Sequence, residues 1–237
     1  MSQFPQFPVN TAVSMDATRT RERDFIRSVY GWMFGGLLLT AAAAAWVVFS
    51  PAMQQIVLAN RAVFWMLAIA EIGLVFYLSL RIQKMSPAAA ASAFLVYSLL
   101  NGLTLSVIFF VYQLGSIMQA FVVAGGMFGA MSIYGMVTKR DLTSWGSFFF
   151  MGLIGVILAS VVNIFLRSPA LTFAVSIIGV FVFVGLTAYD TQKLKGYARM
   201  ATGDRATNLA VIGALALYLD FINLFLMLLR LLGDRRS

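Results

Sequence analysis

The segment that decides the fold is residues 85–138, which read MSPAAAASAFLVYSLLNGLTLSVIFFVYQLGSIMQAFVVAGGMFGAMSIYGMVT. No charged residue interrupts this segment, and it is about twice as long as the roughly 20 apolar residues that cross a bilayer as one helix. Near its middle, Gln113, Gly115 and Ser116 form a short polar stretch of the kind found in turns. The segment therefore predicts two membrane helices that are joined by a tight hairpin.

The composition of the whole chain agrees with this prediction. Of its 237 residues, 61% are hydrophobic and 11% are charged, whereas soluble domains carry about 25% charged residues, so a water-soluble globule is excluded. The chain contains no cysteine and no histidine, which excludes disulfides, thiolate nucleophiles, imidazole bases and zinc sites built from these residues. Carboxylate, hydroxyl, amide and ammonium groups are left to carry any chemistry, and we expect no tightly bound cofactor.

Seven charge-poor runs are long enough to cross a bilayer. They are residues 29–49, 62–80, 88–112, 117–137, 142–166, 168–189 and 206–229. The sequence therefore predicts an all-α polytopic membrane protein with seven transmembrane helices in residues 29–229. Residues 1–28 are polar and lack the apolar core of a signal peptide, so we expect a largely disordered cytoplasmic tail. Residues 230–237 are expected to form a short basic tail.

The positive charges predict the orientation of the chain in the membrane. With the amino terminus in the cytoplasm, 12 lysines and arginines lie on the cytoplasmic side and five on the opposite side. If the last span re-entered the membrane instead of crossing it, the distribution would be 15 to two, so the side of the carboxyl terminus stays open. The net charge of +8 comes from loops and tails, so it indicates topology and contact with anionic lipids rather than nucleic-acid binding.

Two pairs of glycines at four-residue spacing, Gly31 with Gly35 and Gly125 with Gly129, predict close contacts between helices. In lipid, van der Waals packing between small residues drives helix association. These glycines are therefore interpreted as packing surfaces and not as parts of a functional site.

Three acidic residues lie within or at the end of predicted spans: Glu71, Asp190 and Asp220. A charge at the centre of a bilayer costs about 2.5–3.5 kcal/mol on insertion scales, so such residues usually serve a function. No lysine or arginine lies within any predicted span, so the partner of Asp220 is a basic residue at a span end or another acid. Two simpler interpretations remain: Lys193 and Lys195 neutralise Asp190 at helical spacing, and Glu71 is protonated and hydrogen-bonded within the bundle.

Asp190 and Asp220 would form a proton-sensitive pair if their side chains met. Two carboxylates at close range cannot both ionise at low cost, so the pair would share one proton. The same oxygens suit Ca²⁺, which takes about 6–8 oxygen ligands, of which two carboxylates supply at most four. Asn223 and Thr187 lie three residues from Asp220 and Asp190, on much the same helix faces, and offer further oxygens. A site this incomplete binds a cation weakly, which suits ion transit.

The positions of the two aspartates set a condition for their contact. Asp220 is about 20 Å from the start of its span, whereas Asp190 is near the inner end of its own. Their side chains meet only if the sixth helix continues past Lys195 or if the seventh begins well outside the bilayer. Arg81, which closes the second span, is a candidate latch that binds Asp190 and is released when the acid is protonated. The alternative interpretation of Arg81 is a plain positive-inside residue.

Two segments near the carboxyl terminus resemble a known family. Residues 184–193 read VGLTAYDTQK and residues 217–225 read LYLDFINLF, and each contains one of the two aspartates. In a chain of seven predicted spans, these segments resemble the Bax inhibitor-1 (transmembrane Bax inhibitor motif) family in its bacterial branch. The resemblance covers residues 29–233, and the second segment is the more specific of the two.

The resemblance implies a helical bundle with the last helix at its centre, a location in a bacterial inner membrane, and a pH-sensitive calcium leak. It also implies that Asp190 and Asp220 form a proton-sharing pair and that Glu71 matches an acid of the family's second helix. An arginine of that helix latches the pair in one characterised member of the family, and it would fall at Ile82, one place beyond Arg81. The connection between the two aspartates is a few residues longer in this chain.

The preferred function is a calcium leak channel or exchanger that is gated by the two aspartates, which also act as the metal ligands. The expected ion pathway includes Glu71, Asp190, Asp220, Asn223 and Thr187. Calcium ions, protons and the lipid bilayer are the expected partners. One alternative is a non-transporting regulator that binds a membrane protease or another complex through its amino-terminal tail. Another is an intramembrane aspartyl protease, but the companion motif Gly-x-Gly-Asp is absent, so we expect no enzyme.

Overall fold

The computed structural model describes residues 11–236 of the chain, with side chains from Thr20 onward except at Gln83 and Asp204. Within these residues it contains helices and no β-strand. The α-helices are α1 (Thr11–Phe49), α2 (Pro51–Gln54), α3 (Arg61–Arg81), α4 (Pro87–Leu105), α5 (Ile108–Val111), α6 (Leu114–Val137), α7 (Thr143–Leu166), α8 (Pro169–Met200) and α9 (Asp204–Leu232), and a π-helix (Gln55–Ala59) and a 3₁₀-helix (Ile82–Lys84) follow α2 and α3. Seven helical segments are long and apolar enough to cross a membrane, which confirms the predicted all-α fold with seven spans.

Three helices begin at a Ser-Pro dipeptide, in which the serine caps the helix and the proline is its first residue. Each serine Oγ accepts a hydrogen bond from the backbone N–H three residues later, and proline lacks the N–H that would need a partner there. These caps are Ser50 for α2, Ser86 for α4 and Ser168 for α8. The prolines of these three dipeptides are therefore the first residues of helices.

The charge-free segment forms two successive spans, as its length predicts. Helix α4 ends at Leu105, and a turn followed by the single-turn helix α5 continues this span to Val111. The backbone is extended at Tyr112 and Gln113, and α6 then begins the next span at Leu114. The hairpin is therefore confirmed, and it lies at Tyr112 and Gln113.

The carboxyl-terminal tail is held at this hairpin by backbone hydrogen bonds. The N–H of Gln113 donates to the carbonyl of Asp234 at 3.0 Å, and the N–H of Arg236 donates to the carbonyl of Val111 at 2.9 Å. Helix α9 is continuous, so the last span crosses the bundle and does not re-enter. The first span therefore begins and the last span ends on opposite sides of the bundle, which we call the amino-terminal side and the carboxyl-terminal side. Which of these faces the cytoplasm stays a prediction.

Helix α1 begins at Thr11, well before the first predicted span. It therefore includes residues 11–28, which the composition assigned to a largely disordered tail. An apolar helical stripe continues from the first span into these residues as far as Phe25, because Phe25, Val29 and Met33 are four residues apart and are buried against the bundle. Residues 1–10 of the predicted tail lie outside the described residues.

The four glycines that the spacing singled out do not make the predicted helix contacts. An added Cβ atom would meet nothing within 4 Å at Gly31, Gly35, Gly125 and Gly129. Close approaches occur instead at glycines without that spacing. A Cβ at Gly102 of α4 would collide with the Thr40 carbonyl of α1, and one at Gly135 of α6 would collide with the Ala188 carbonyl of α8. The partner helix, and not the spacing, decides which glycine is needed.

The seven spans differ strongly in burial. Helix α9 is the most buried, and it packs against α1, α4, α6 and α8. Helices α3 and α7 are the least buried, and side chains such as Phe76 and Phe165 point outward, which suits contact with lipid. The expectation that the last helix is at the centre of the bundle stays a prediction.

Candidate functional site

Asp190 and Asp220 lie on adjacent antiparallel helices. Helix α8 continues to Met200, ten residues beyond Asp190 and past Lys195, which meets the first of the two conditions for their contact. Helix α9 begins at Asp204, after a connection of three residues. Side chains lean toward the amino-terminal end of their helix, so those of two antiparallel helices lean toward each other. The two carboxyl groups are close enough to interact electrostatically.

Neither aspartate of this pair accepts a hydrogen bond within the described residues. Asp220 is only 4% exposed, and its Oδ2 atom is buried without a hydrogen-bond partner in the described part of the chain. Asp190 is half-buried and accepts no hydrogen bond within the same residues. A buried carboxylate oxygen without a donor is unusual in proteins, because such an oxygen loses its hydration. It is therefore a position where a proton or a cation would be stabilised.

The two neutral residues that we expected beside the pair bind their own helices instead. The hydroxyl of Thr187 donates to the Phe183 carbonyl at 2.7 Å, and the amide of Asn223 donates to the Leu219 carbonyl at 2.8 Å. Neither donates to the aspartates. No group of three or more acidic, histidine or cysteine side chains that could hold a metal ion occurs among the described residues. Two carboxylates alone fit brief Ca²⁺ contact better than storage.

Lys193 is the basic residue whose charge acts on Asp190. It follows Asp190 by three residues on α8, and its ammonium group lies 5.8 Å from the ring centre of Tyr189 and 5.6 Å from that of Tyr197. The candidate latch Arg81 is exposed and forms no ion pair with Asp190 in the described structure. The latch role of Arg81 therefore gains no support from contacts and stays a prediction.

Glu71 belongs to a different polar cluster. Its Oε1 atom accepts a hydrogen bond of 2.8 Å from the Thr104 hydroxyl, and its Oε2 atom accepts one of 3.2 Å from the Asn101 amide. These three residues line a cavity of about 360 Å³, which Tyr112 and Arg230 also line near the carboxyl-terminal side. Both oxygens of Glu71 thus have donors, in contrast to the buried oxygen of Asp220.

The cluster extends across the bundle through residues that the sequence did not single out. The Tyr218 hydroxyl donates to the Oδ1 atom of Asn101 at 3.0 Å, and it shares a hydrogen bond of 2.6 Å with the Thr40 hydroxyl. The Thr40 oxygen also lies 2.9 Å from the carbonyls of Gly36 and Ser98. One signal in the sequence was available: Asn101 and Thr104 are polar residues three apart in a long apolar run, and thus on one helix face.

Asn208, which the sequence also did not single out, joins the end of α3 to α9. The amide of Asn208, in the first turns of α9, donates to the carbonyls of Ile82 at 2.9 Å and Met85 at 2.8 Å, just beyond the end of α3. Asn208 is buried, so water does not readily replace these bonds. The end of the helix that carries Glu71 is therefore fastened to the helix that carries Asp220.

Comparison with known proteins shows where this arrangement belongs. A family described as Inhibitor of apoptosis-promoting Bax1 matches residues 22–237. The chain belongs to the Bax inhibitor family. This confirms the resemblance carried by the segments around Asp190 and Asp220, and the match covers all seven spans.

Relatives in this family match nearly the whole chain. The inner membrane protein YbhL of Escherichia coli K12 is 50% identical over 239 residues, which cover 100% of both chains. A protein of Borreliella burgdorferi is 44% identical over 215 residues, covering 90% of this chain and 93% of its own. A protein of Deinococcus radiodurans is 41% identical over 225 residues, covering 94% and 96%. The chain is thus similar to bacterial proteins of the same length, and its seven apolar helices fit a multi-pass membrane protein.

Proposed function

We propose that this protein is a pH-sensitive calcium leak channel or exchanger of a bacterial inner membrane, gated by Asp190 and Asp220. The observation that carries the proposal is the buried, donor-free carboxylate of Asp220 within electrostatic reach of Asp190. Membership of the Bax inhibitor family and the similarity to an inner membrane protein support the location.

The mechanism follows from competition for the same oxygens. When the two carboxyl groups share a proton, the pair has less negative charge to offer a cation. When that proton leaves, Ca²⁺ can replace it as the partner of the carboxylates, and few additional ligands hold it there. Protons and Ca²⁺ therefore exclude each other at the pair, so acidification weakens Ca²⁺ occupancy. Lys193 acts on the same site by attracting the Asp190 carboxylate.

The test is Ca²⁺ flux through the full-length protein in liposomes across a pH series. We expect the wild-type flux to depend on pH, and we expect the Asp190→Asn and Asp220→Asn variants to lose that dependence. Asp141→Asn is the matched control, because Asp141 is an exposed acid in the connection between α6 and α7. Unchanged pH-dependent flux in both of the first two variants would exclude gating by the pair.

The absence of flux in the wild-type protein would instead favour a non-transporting regulator. Such a protein should copurify with a membrane protease or another complex, and deletion of residues 1–24 should abolish that association. A channel should keep its flux after the same deletion, because the core-facing stripe of α1 begins at Phe25. We assign no catalytic role to the two aspartates, and specific cleavage of a membrane peptide by the purified protein would contradict that assignment.

A further inference from the structure

A chain of hydrogen bonds connects four helices of the bundle. It runs from Glu71 on α3 through Asn101 on α4 and Tyr218 on α9 to Thr40 on α1. Tyr218 is fully buried, and Thr40 and Asn101 are 5% and 7% exposed, so the hydrogen bonds among these three residues are shielded from water. Hydrogen bonds between buried groups are hard to replace, because a group that loses its partner finds no other. This series of hydrogen bonds is therefore a structural connection between the four helices and not a set of independent contacts.

Hydrogen bonds at both the nitrogen and the oxygen of the Asn101 side-chain amide fix its orientation. Its NH₂ group donates to the Glu71 carboxylate, and its Oδ1 atom accepts the proton of the Tyr218 hydroxyl. A rotation of the amide by half a turn would place its oxygen against the carboxylate oxygen and would remove the donor from Glu71. The Tyr218 hydroxyl thus favours the one amide orientation that supports the carboxylate.

Glu71 is held in this way at the wall of a cavity. Asn101 and Thr104 donate to its two oxygens and line the cavity with it. Arg230 and Tyr112 line the same cavity, but within the described residues no basic side chain forms an ion pair with Glu71. When Glu71 is ionised, its negative charge is therefore available to a cation that enters the cavity.

Tyr218 also connects this cavity to α9, the helix that carries Asp220 of the aspartate pair. Tyr218 and Asp220 are two residues apart on α9, so their side chains point about 200° apart around the helix. One side of α9 thus faces the Glu71 cluster, and the opposite side faces Asp190.

We propose that Tyr218, acting through Asn101, is a positioning residue that holds Glu71 toward the cavity as a cation ligand. Through the same hydrogen bonds, Tyr218 links the binding of a cation in the cavity to helix α9. The proposal rests on the proposed function, because it assigns the cavity to the calcium pathway. Tyr218 touches no ion in this scheme; its hydroxyl group sets the direction of the amide that supports the carboxylate.

The structure offers a matched pair of variants for the test. The rings of Phe94 and Tyr97 pack edge-on against the Tyr218 ring, at 5.8 Å and 5.7 Å between centres, so Tyr218→Phe keeps this packing and removes only the hydroxyl. Tyr97→Phe is the control, since Tyr97 is also buried and its hydroxyl makes no hydrogen bond within the described residues.

The measurement is Ca²⁺ binding to the purified full-length protein by calorimetry, accompanied by flux in liposomes. For Tyr218→Phe, the loss of one supporting hydrogen bond should weaken Ca²⁺ binding by about threefold to tenfold and raise the half-saturating Ca²⁺ concentration for flux equally. The maximal flux should stay near that of wild type, and Tyr97→Phe should bind as wild type does. In a Glu71→Gln background, Tyr218→Phe should have no further effect, because the carboxylate that it supports is gone.

Three results would overturn the proposal. They are equal Ca²⁺ affinity in Tyr218→Phe and Tyr97→Phe, a Tyr218→Phe effect that persists in the Glu71→Gln background, and a lower maximal flux without a change in half-saturation. If Tyr218→Phe does not fold, Asn101→Leu takes its place, with the same expected loss of affinity. Binding without flux in wild type would refute the proposed function alone, so the two failures are distinguishable.

Discussion

The two acidic centres of the bundle, Glu71 and the pair of Asp190 and Asp220, differ in how their carboxyl groups are stabilised away from water. Glu71 has a hydrogen-bond donor on each oxygen and lies on the wall of a cavity, whereas Asp220 is buried with one oxygen unpartnered and another acid nearby. Hydrogen-bond donors favour the ionised form of a carboxyl group, whereas a nearby second acid without donors favours a shared proton. This contrast is the basis of the two proposals, in which Glu71 attracts a cation and the aspartate pair responds to protons.

The largest difference between the centres should appear when each acid is replaced by leucine. Glu71→Leu should lower the free energy of unfolding by about 2–5 kcal/mol, because the Thr104 hydroxyl and the Asn101 amide each lose an acceptor. The measurement is an unfolding titration of the purified protein in detergent micelles.

Asp220→Leu is the contrasting variant in the same titration. It removes a buried carboxylate oxygen that has no donor, so the free energy of unfolding should stay unchanged or rise by about 1 kcal/mol. A loss as large as that of Glu71→Leu would mean that the Asp220 carboxylate is stabilised as well as Glu71 is, and the contrast would fail.

A smaller effect is expected at the fastening between α3 and α9. Asn208→Leu keeps the volume of the side chain but removes the donor of the Met85 carbonyl and leaves the Ile82 carbonyl with only the Met85 N–H, which should lower the free energy of unfolding by about 1–2 kcal/mol. Asn223→Leu is the control, because the Asn223 amide bonds only within α9. Equal losses in the two variants would show that Asn208 does not fasten the helices. Amide hydrogen exchange at the end of α3 should increase in Asn208→Leu alone.

The smallest effect is expected at an acid outside the membrane spans. The hydroxyl and backbone N–H of Thr143 donate to Asp141 and lower the pKa of its carboxyl. A pKa that is lower in the folded state adds stability above the unfolded pKa, and this contribution disappears as the pH falls through the folded pKa. The Asp141→Asn variant should therefore be slightly less stable than wild type at neutral pH and equal to it in acid. A difference that grew in acid would contradict this assignment.

Much of the fold could be predicted because crossing a membrane depends on local properties. Residues 85–138 divide where Gln113 breaks the apolar run, and the helices that Ser86 and Ser168 cap begin close to the predicted starts of their spans. The start of α1 was missed, because the stripe of Phe25 and Val29 is diluted by arginines and only packing against other helices makes it effective.

The candidate site was predictable only in part. Asp190, Asp220 and Glu71 are evident because an acid in an apolar span is costly wherever its neighbours lie. Their partners are not evident: Thr187 and Asn223 were expected to support the aspartates and bond to their own helices, while Thr104 and Asn101 support Glu71. A hydroxyl or amide in a span can bond to its own helix or to a neighbour, and both choices look the same along the chain.

Hydrophobicity and charge act residue by residue, so the amino-acid order alone was enough to establish seven spans, their approximate limits and the acids that need an explanation. Contacts between distant residues depend on which helices become neighbours and on how each is rotated about its axis. The folded bundle alone therefore decided that Tyr218 meets Asn101, that Gly102 and not Gly31 lies at a close contact, and that Asp220 lacks a donor.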